Sequence, residues 1–466
     1  MSDMEKKKKY RLLLLTNRDS DNLGDQVIEV TDIQLISTVM QNLGISNYHI
    51  TSRAAGIVTQ KYLKTKDPEL LEGAKKTIAK QDLIVFGGAP LFNYKYQTFY
   101  ERTAVTLEMC EEYHKPVIFS AIGVEGYDED NEKCQRLKKT LNFDCVKQIT
   151  TRDDYESLTQ FKEKEDMLIG KVSDPAVFTA PVFRNFVSQE KQKKIGVFVL
   201  RANGFKDNKV DFDRDASAKL WKDLADVLEA RGYDYEFITS GHFGDEAFLD
   251  LLIKKYNLPE SKCVFNMNAP DELIRRISSY EGVVSCRLHP SIISFSLDVP
   301  AVGLVWNSKV KFFYDSIGYG DRALEMEDIT AEKVADALEM AISQGVKKSP
   351  EYMMTVYQSL YSGIQKALGL APEDSQMYTY EELLTHIPAW QGDSEAERAL
   401  KLKRKYRRTY GKYNDIFEQS KKRGQEVKKL RAEVKKLKKQ LEEQKTFMQK
   451  LKEKIKAYAK KHGVMK

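Results

Sequence analysis

At 466 residues, 42% of them hydrophobic, the chain is too long for a single core and predicts two domains with an appendage. Its longest early aliphatic run, Leu12 to Leu15, falls far short of the roughly 18 residues of a membrane span, and its five irregularly spaced cysteines match neither a disulfide framework nor a zinc motif; the expectation is a cytoplasmic protein without a metal site. The net charge of +6 hides a division: residues 391–466 hold 26 basic and 10 acidic side chains, the remainder 49 and 59, so an acidic body carries a basic tail.

Tyr10 to Thr16 reads as the first strand, and Asn22, Gly24 and Asp25 open a helix that runs to about Leu43. That turn reads either as a set of backbone N–H groups offered to an anion or as an ordinary N-cap. Asp82 to Phe86 is the next strand and ends in Gly87 and Gly88, which permit either a tight turn or close approach to a ligand. Helix Thr98 to Tyr113, strand Pro116 to Ala121 and strand Gln148 to Thr151, ending in Arg152-Asp153, complete a first half over residues 1–180. A polar stretch from Pro181 to Lys194 reads as a linker.

The pattern then restarts over 195–390, from strand Ile195 to Leu200 through helices and strands to Tyr280, with returning helices after the last strand. Strands separated by helical patterns predict an α/β protein of two Rossmann-like, doubly wound domains with a cleft between them. Arg201 follows its strand directly, a costly place for a guanidinium unless it meets an anion or an acid such as Asp207 or Asp211. His242 sits at another strand end, as a ligand contact or a turn residue. The stretch Gly282 to Lys309 is a β-α-β unit with Arg287 and His289 where the first strand gives way to the helix, and Lys309 beyond the second. Cys286 reads as a packing residue or, beside Arg287, a thiol of lowered pKa.

In that order, Asn22, Gly24 and Asp25 (NLGD), Gly87 and Gly88, Arg152-Asp153, Ser173 to Ala176 (SDPA), Arg201 and RLHPSIISFSLDVPAVGLVWNSKVKFF make the chain resemble the polysaccharide pyruvyl transferases from about Tyr10 to Gly320. The resemblance implies a glycosyltransferase-B-like (GT-B-like) arrangement of the two domains. It also implies transfer of pyruvate from phosphoenolpyruvate to two sugar hydroxyls as a ketal, in cell-surface polysaccharide biosynthesis, with no cofactor beyond that donor and with a glycan or lipid-linked saccharide as acceptor. It makes Arg201, Arg287 and His289 the donor-binding and catalytic set and adds Lys309. Gly87-Gly88-Ala89-Pro90 stands where the family usually has a third glycine, and the basic tail lies outside the shared core.

The chemistry agrees with those residue types. Phosphoenolpyruvate carries a phosphate and a carboxylate, which guanidinium groups grip in two-point fashion. Ketal formation needs a proton delivered to the enol methylene and one taken from a hydroxyl, which suits the imidazole of His289. Were the chain extended there, Arg287 and His289 would share a face; at a helix start the backbone N–H groups of Leu288 and His289 would meet a phosphate. The rival readings are a nucleotide-sugar glycosyltransferase of the same fold and an inactive coiled-coil adaptor.

The tail, 394–466, is helical, with Gly411 and Gly424 suggesting joints. Val427, Leu430, Val434, Leu437, Leu441, Gln444, Met448, Leu451, Ile455 and Tyr458 alternate steps of three and four, a heptad seam over 427–458. Val and Ile at three of five a positions predict a parallel homodimer. Its lysines equally permit an amphipathic helix on an anionic membrane surface, which would put the protein peripherally at the inner face; no known motif marks it for nucleic acid.

Overall fold

The computed structural model describes residues 8–18, 20–55, 57–95, 98–201, 204–205, 208, 210–371 and 376–463. The chain divides into two compact units, Met1–Arg398 and Ala399–Lys466. The first contains two six-stranded parallel sheets. Strands β1 (Tyr10–Thr16), β2 (Tyr48–Ala54), β3 (Leu83–Gly87), β4 (Val117–Ile122), β5 (Val146–Thr151) and β6 (Leu168–Lys171) lie in the order β2-β1-β3-β4-β5-β6. Strands β7 (Gln192–Phe198), β8 (Asp234–Ile238), β9 (Cys263–Val264), β10 (Tyr280–Ser285), β11 (Ala301–Val305) and β12 (Ala323–Glu325) lie in the order β12-β11-β10-β7-β8-β9.

Period-two alternation explains the layering. Along β1, Leu12 and Leu14 enter one apolar cluster while Leu13 and Leu15 enter another, so the strand must be covered on both faces. In β10, Val283 and Val284 divide in the same way. The cluster holding Leu12 also holds Val283, so one core runs through both halves. Burying each such side chain stabilises the fold by about 1.5–3 kcal/mol. Helix Pro350–Leu368 follows the last strand of the second sheet yet covers the first: Gln148 Nε2 donates to the Ser359 carbonyl at 2.9 Å, and Ser173 Oγ to that of Met353 at 3.0 Å.

Three expectations need correction. Residues 181–194 join the two sheets, as expected of a linker, but they are not all irregular: Val182 and Phe183 are buried, Phe183 meets Trp390 edge-on and Phe186 meets it at a tilt, and β7 already begins at Gln192. Aromatic side chains within a polar stretch pin it down. Strands β2, β6 and β12 escaped the sequence reading because they are sheet edges or short, with half-exposed residues and no apolar run. The tail has no joint at its glycines: helix Glu395–Lys461 runs unbroken through Gly411 and Gly424. Each glycine costs about 1 kcal/mol relative to alanine, which the Lys, Arg, Gln and Glu residues along the rest of the helix, all good helix formers, offset. No helix among the described residues is long and apolar enough to cross a membrane.

Candidate active site

The carboxyl ends of both sheets face a cleft of about 540 Å³, lined among others by Pro90, Gly123 and Glu125 from the first half and Arg201, Trp306 and Lys309 from the second. In open α/β sheets ligands bind at strand carboxyl ends, and this volume falls within the usual range for small-molecule sites.

The turn after β1 seals one side. Asn22 caps helix Leu23–Asn42 by accepting from the Gly24 N–H at 3.2 Å, so its side chain has the ordinary capping role. The Leu23 N–H donates to the Ser240 carbonyl at 2.8 Å, tying this turn to the end of β8. Gly241, at φ +87°, completes that approach: a Cβ there would sit 2.6 Å from the Asp21 carbonyl oxygen. Asp25 is buried and takes a 2.8 Å hydrogen bond from Asn17 Nδ2. Burial raises its carboxyl to about 6, against the opposing pull of its Ser20 and Asn17 hydrogen bonds and of the Arg152 and Arg287 charges.

Gly87 and Gly88 are glycines for packing. A Cβ on Gly87 would fall 2.2 Å from Asp32 Oδ2, and one on Gly88 2.3 Å from Ile28 Cγ2, both on helix Leu23–Asn42. What the loop offers the site is the Gly88 carbonyl, which accepts from Arg152 Nη1 at 2.8 Å. Arg152 itself, 8% exposed, pairs with the still more deeply buried Asp174 of the SDPA motif. Neighbouring Asp153 accepts from the Val124 N–H and the Thr151 hydroxyl through Oδ1, while its buried Oδ2 has no partner.

On the opposite side, Asp245 organises the second half. It is wholly buried in the first turn of helix Phe243–Tyr256 and accepts from Arg287 Nε and Nη2, both at 2.8 Å, and from the Arg201 backbone N–H at 3.0 Å. The expected two-point grip of Arg287 is therefore spent on an aspartate, because a buried carboxylate needs a counter-charge. The Arg287 guanidinium lies 5.8 Å from the Trp306 ring centroid. Arg201 lines the cleft, its Nη1 3.3 Å from His242 Nε2. Of its two expected partners, Asp207 lies outside the described residues; Arg201 meets His242 through its guanidinium and Asp245 through its backbone N–H. His242 caps its helix by accepting from the Gly244 N–H at 3.1 Å.

Arg287 and His289 do not share a face. Arg287 is the N-cap of helix Leu288–Ser296, so the two side chains diverge: Arg287 turns to Asp245, and His289 packs its ring on Gly24. His289 is 8% exposed and its Nε2 is buried without a hydrogen-bond partner. Burial first, then the charges of Arg152, Lys309 and Arg287, hold the imidazole well below its ordinary pKa, so it is neutral at pH 7. Lys309, in the first turn of helix Ser308–Ser316, is also lowered by burial, with Asp153 opposing. Its Nζ and Asp153 Oδ2 lie 3.1 and 3.3 Å from where a Gly123 Cβ would be.

Of the expected residues, Arg201 and Lys309 line the cleft; His289 and Asp25 are buried within the field of Lys309, Arg287 is turned to Asp245, and Asn22, Gly87 and Gly88 cap or pack against helix Leu23–Asn42. Sequence reasoning marked Arg152 as a strand end and a family motif but gave it no role in the site, although an arginine directly after a strand is the same signal that marked Arg201. It had no means of pairing Asp245 with Arg287, 42 positions away.

No functionally curated protein matches the chain. Among solved structures, one named as a UDP-N-acetylglucosamine 2-epimerase from Listeria monocytogenes is 9% identical over 80% of this chain and 100% of its own, with a TM-score of 0.52. Another UDP-N-acetylglucosamine 2-epimerase is 11% identical over 80% and 100%, at 0.50. At such identities the likeness is one of fold, the GT-B-like pairing of two Rossmann-like halves. The polysaccharide pyruvyl transferase family model matches residues 10–308, from β1 of the first sheet through β11 of the second, and the chain belongs to that family.

Proposed function

We propose that the cleft binds phosphoenolpyruvate and transfers its pyruvyl group to two hydroxyls of a sugar as a ketal. The observation that carries this reading is the buried, unpartnered Nε2 of a neutral His289 in the field of Arg152, Lys309 and Arg287. Cations gathered about an unsatisfied imidazole favour a small polyanion that cancels their charge and supplies the missing hydrogen bond.

Binding the anion has a consequence for catalysis. It replaces the positive field at His289 with a negative one, so the imidazole pKa rises and the ring takes up a proton as the donor enters. The imidazolium is then the acid that protonates C3 of the enol. C2 becomes electrophilic, a sugar hydroxyl adds to it, and the C2–O bond to phosphate breaks. A second hydroxyl closes the ketal. Of the two hydroxyl protons released, one replaces that spent on C3 and the other leaves on the phosphate. Arg201 and Lys309 on the cleft wall offset charge on the donor and leaving phosphate, and Glu125, also on that wall, orients the sugar hydroxyls.

Incubation with phosphoenolpyruvate and candidate glycans should release phosphate and produce a ketal methyl signal by NMR. His289→Ala should lower turnover by orders of magnitude with little change in unfolding. Stabilisation by nucleoside diphosphates alone, with no response to phosphoenolpyruvate, would instead support a nucleotide-sugar glycosyltransferase.

A further inference from the structure

Among the described residues, the second compact unit carries an exposed apolar stripe along its helix. Val427, Leu430, Val434, Leu437, Leu441, Met448, Leu451, Ile455 and Tyr458 follow heptad a and d spacing along helix Glu395–Lys461 and are 39–67% exposed. Exposed apolar residues aligned over more than four heptads mark an interface. We infer that the stripe is closed by the same stripe of a second copy, in a parallel and in-register coiled coil.

The flanking charges choose the occupant and its direction. With Val427 at a, the e positions are Arg431, Lys438, Lys445 and Lys452, all basic, and the first two g positions are Glu426 and Glu433. In a parallel pair g faces e of the next heptad on the partner, joining Glu426 to the partner's Arg431 and Glu433 to the partner's Lys438, twice each by symmetry. In an antiparallel pair e would face e, four cations against four. Gln444, at d, meets its own counterpart only when the copies are in register; a shift of one heptad sets it against Leu437 or Leu451. A lone helix on an anionic bilayer would have no use for glutamates alternating with basic residues across the seam.

Light scattering of the full chain should give twice the 53.6 kDa chain mass. Leu430→Glu with Leu437→Glu, at exposed positions, should halve it while leaving the body's thermal unfolding in place. Glu426→Lys with Glu433→Lys should weaken the dimer about tenfold or more, and adding Arg431→Glu and Lys438→Glu to the same chain should restore it. Met448→Cys should form an intermolecular disulfide that the unsubstituted chain does not. A monomer at micromolar concentration, including one that sediments with phosphatidylserine vesicles, would overturn the inference. So would a dimer that ignores the seam substitutions or fails to cross-link at 448.

Discussion

His289 and Asp25 are shifted in opposite directions by the same environment. Burial penalises the charged form of each, pushing the imidazole down and the carboxyl up to about 6. For Asp25 the folded value exceeds the ordinary 3.8, so the folded state binds the proton more tightly. The stability this contributes is present in full below about 3.8 and is lost as pH rises through about 6. A shift of that size corresponds to about 3 kcal/mol. Asp25→Asn should therefore stabilise the protein above pH 6 by up to that amount, with the gain vanishing near pH 4, as read by denaturant unfolding across pH. A substitution that destabilises equally at all pH values would show that the hydrogen bonds from Asn17 and Ser20 outweigh desolvation. None of this was legible in the sequence: NLGD announced a helix start, and whether Asp25 faced water or guanidinium groups depended on residues more than a hundred positions away.

At the scale of elements, two helix starts meet. The first turn of Leu23–Asn42 and that of Leu288–Ser296 approach so closely that a Cβ on Gly24 would stand 2.3 Å from His289 Nδ1. Gly24 is a glycine because of this contact. Gly24→Ala should cost about 1–3 kcal/mol by overpacking and abolish turnover by displacing the ring. His289→Ala in the same chain should recover most of the lost stability. Additive costs in that double-mutant cycle would mean that the two turns do not press on one another in solution. Both helices, and the strands before them, were readable from apolar runs and from Gly and Pro stops. Their contact was not, since neither turn carries a mark of its partner. The edge strand Tyr48–Ala54 was missed for a different reason: its half-exposed YHITSRA lacks the apolar run that identifies a central strand.

At the scale of the molecule, the two α/β halves followed from the restart of the strand-helix pattern at Ile195, and the family from RLHPSIISFSLDVP and the motifs before it. What pattern alone could not give is how residues from both sheets divide the labour. Arg287, the most prominent cation in the sequence, is committed to Asp245, and Arg152 is committed to Asp174 and the Gly88 carbonyl. Fixed in this way, both act on His289 through their field. The account therefore stands or falls on whether a trianion enters that field and protonates the imidazole. Calorimetry of phosphoenolpyruvate binding in buffers of different ionisation enthalpy, between pH 7 and 8, measures this directly. The account predicts net proton uptake on binding by the unsubstituted chain, lost in His289→Gln, and affinity that rises as pH falls. Failure to bind phosphoenolpyruvate, or proton uptake unchanged by His289→Gln, would contradict it.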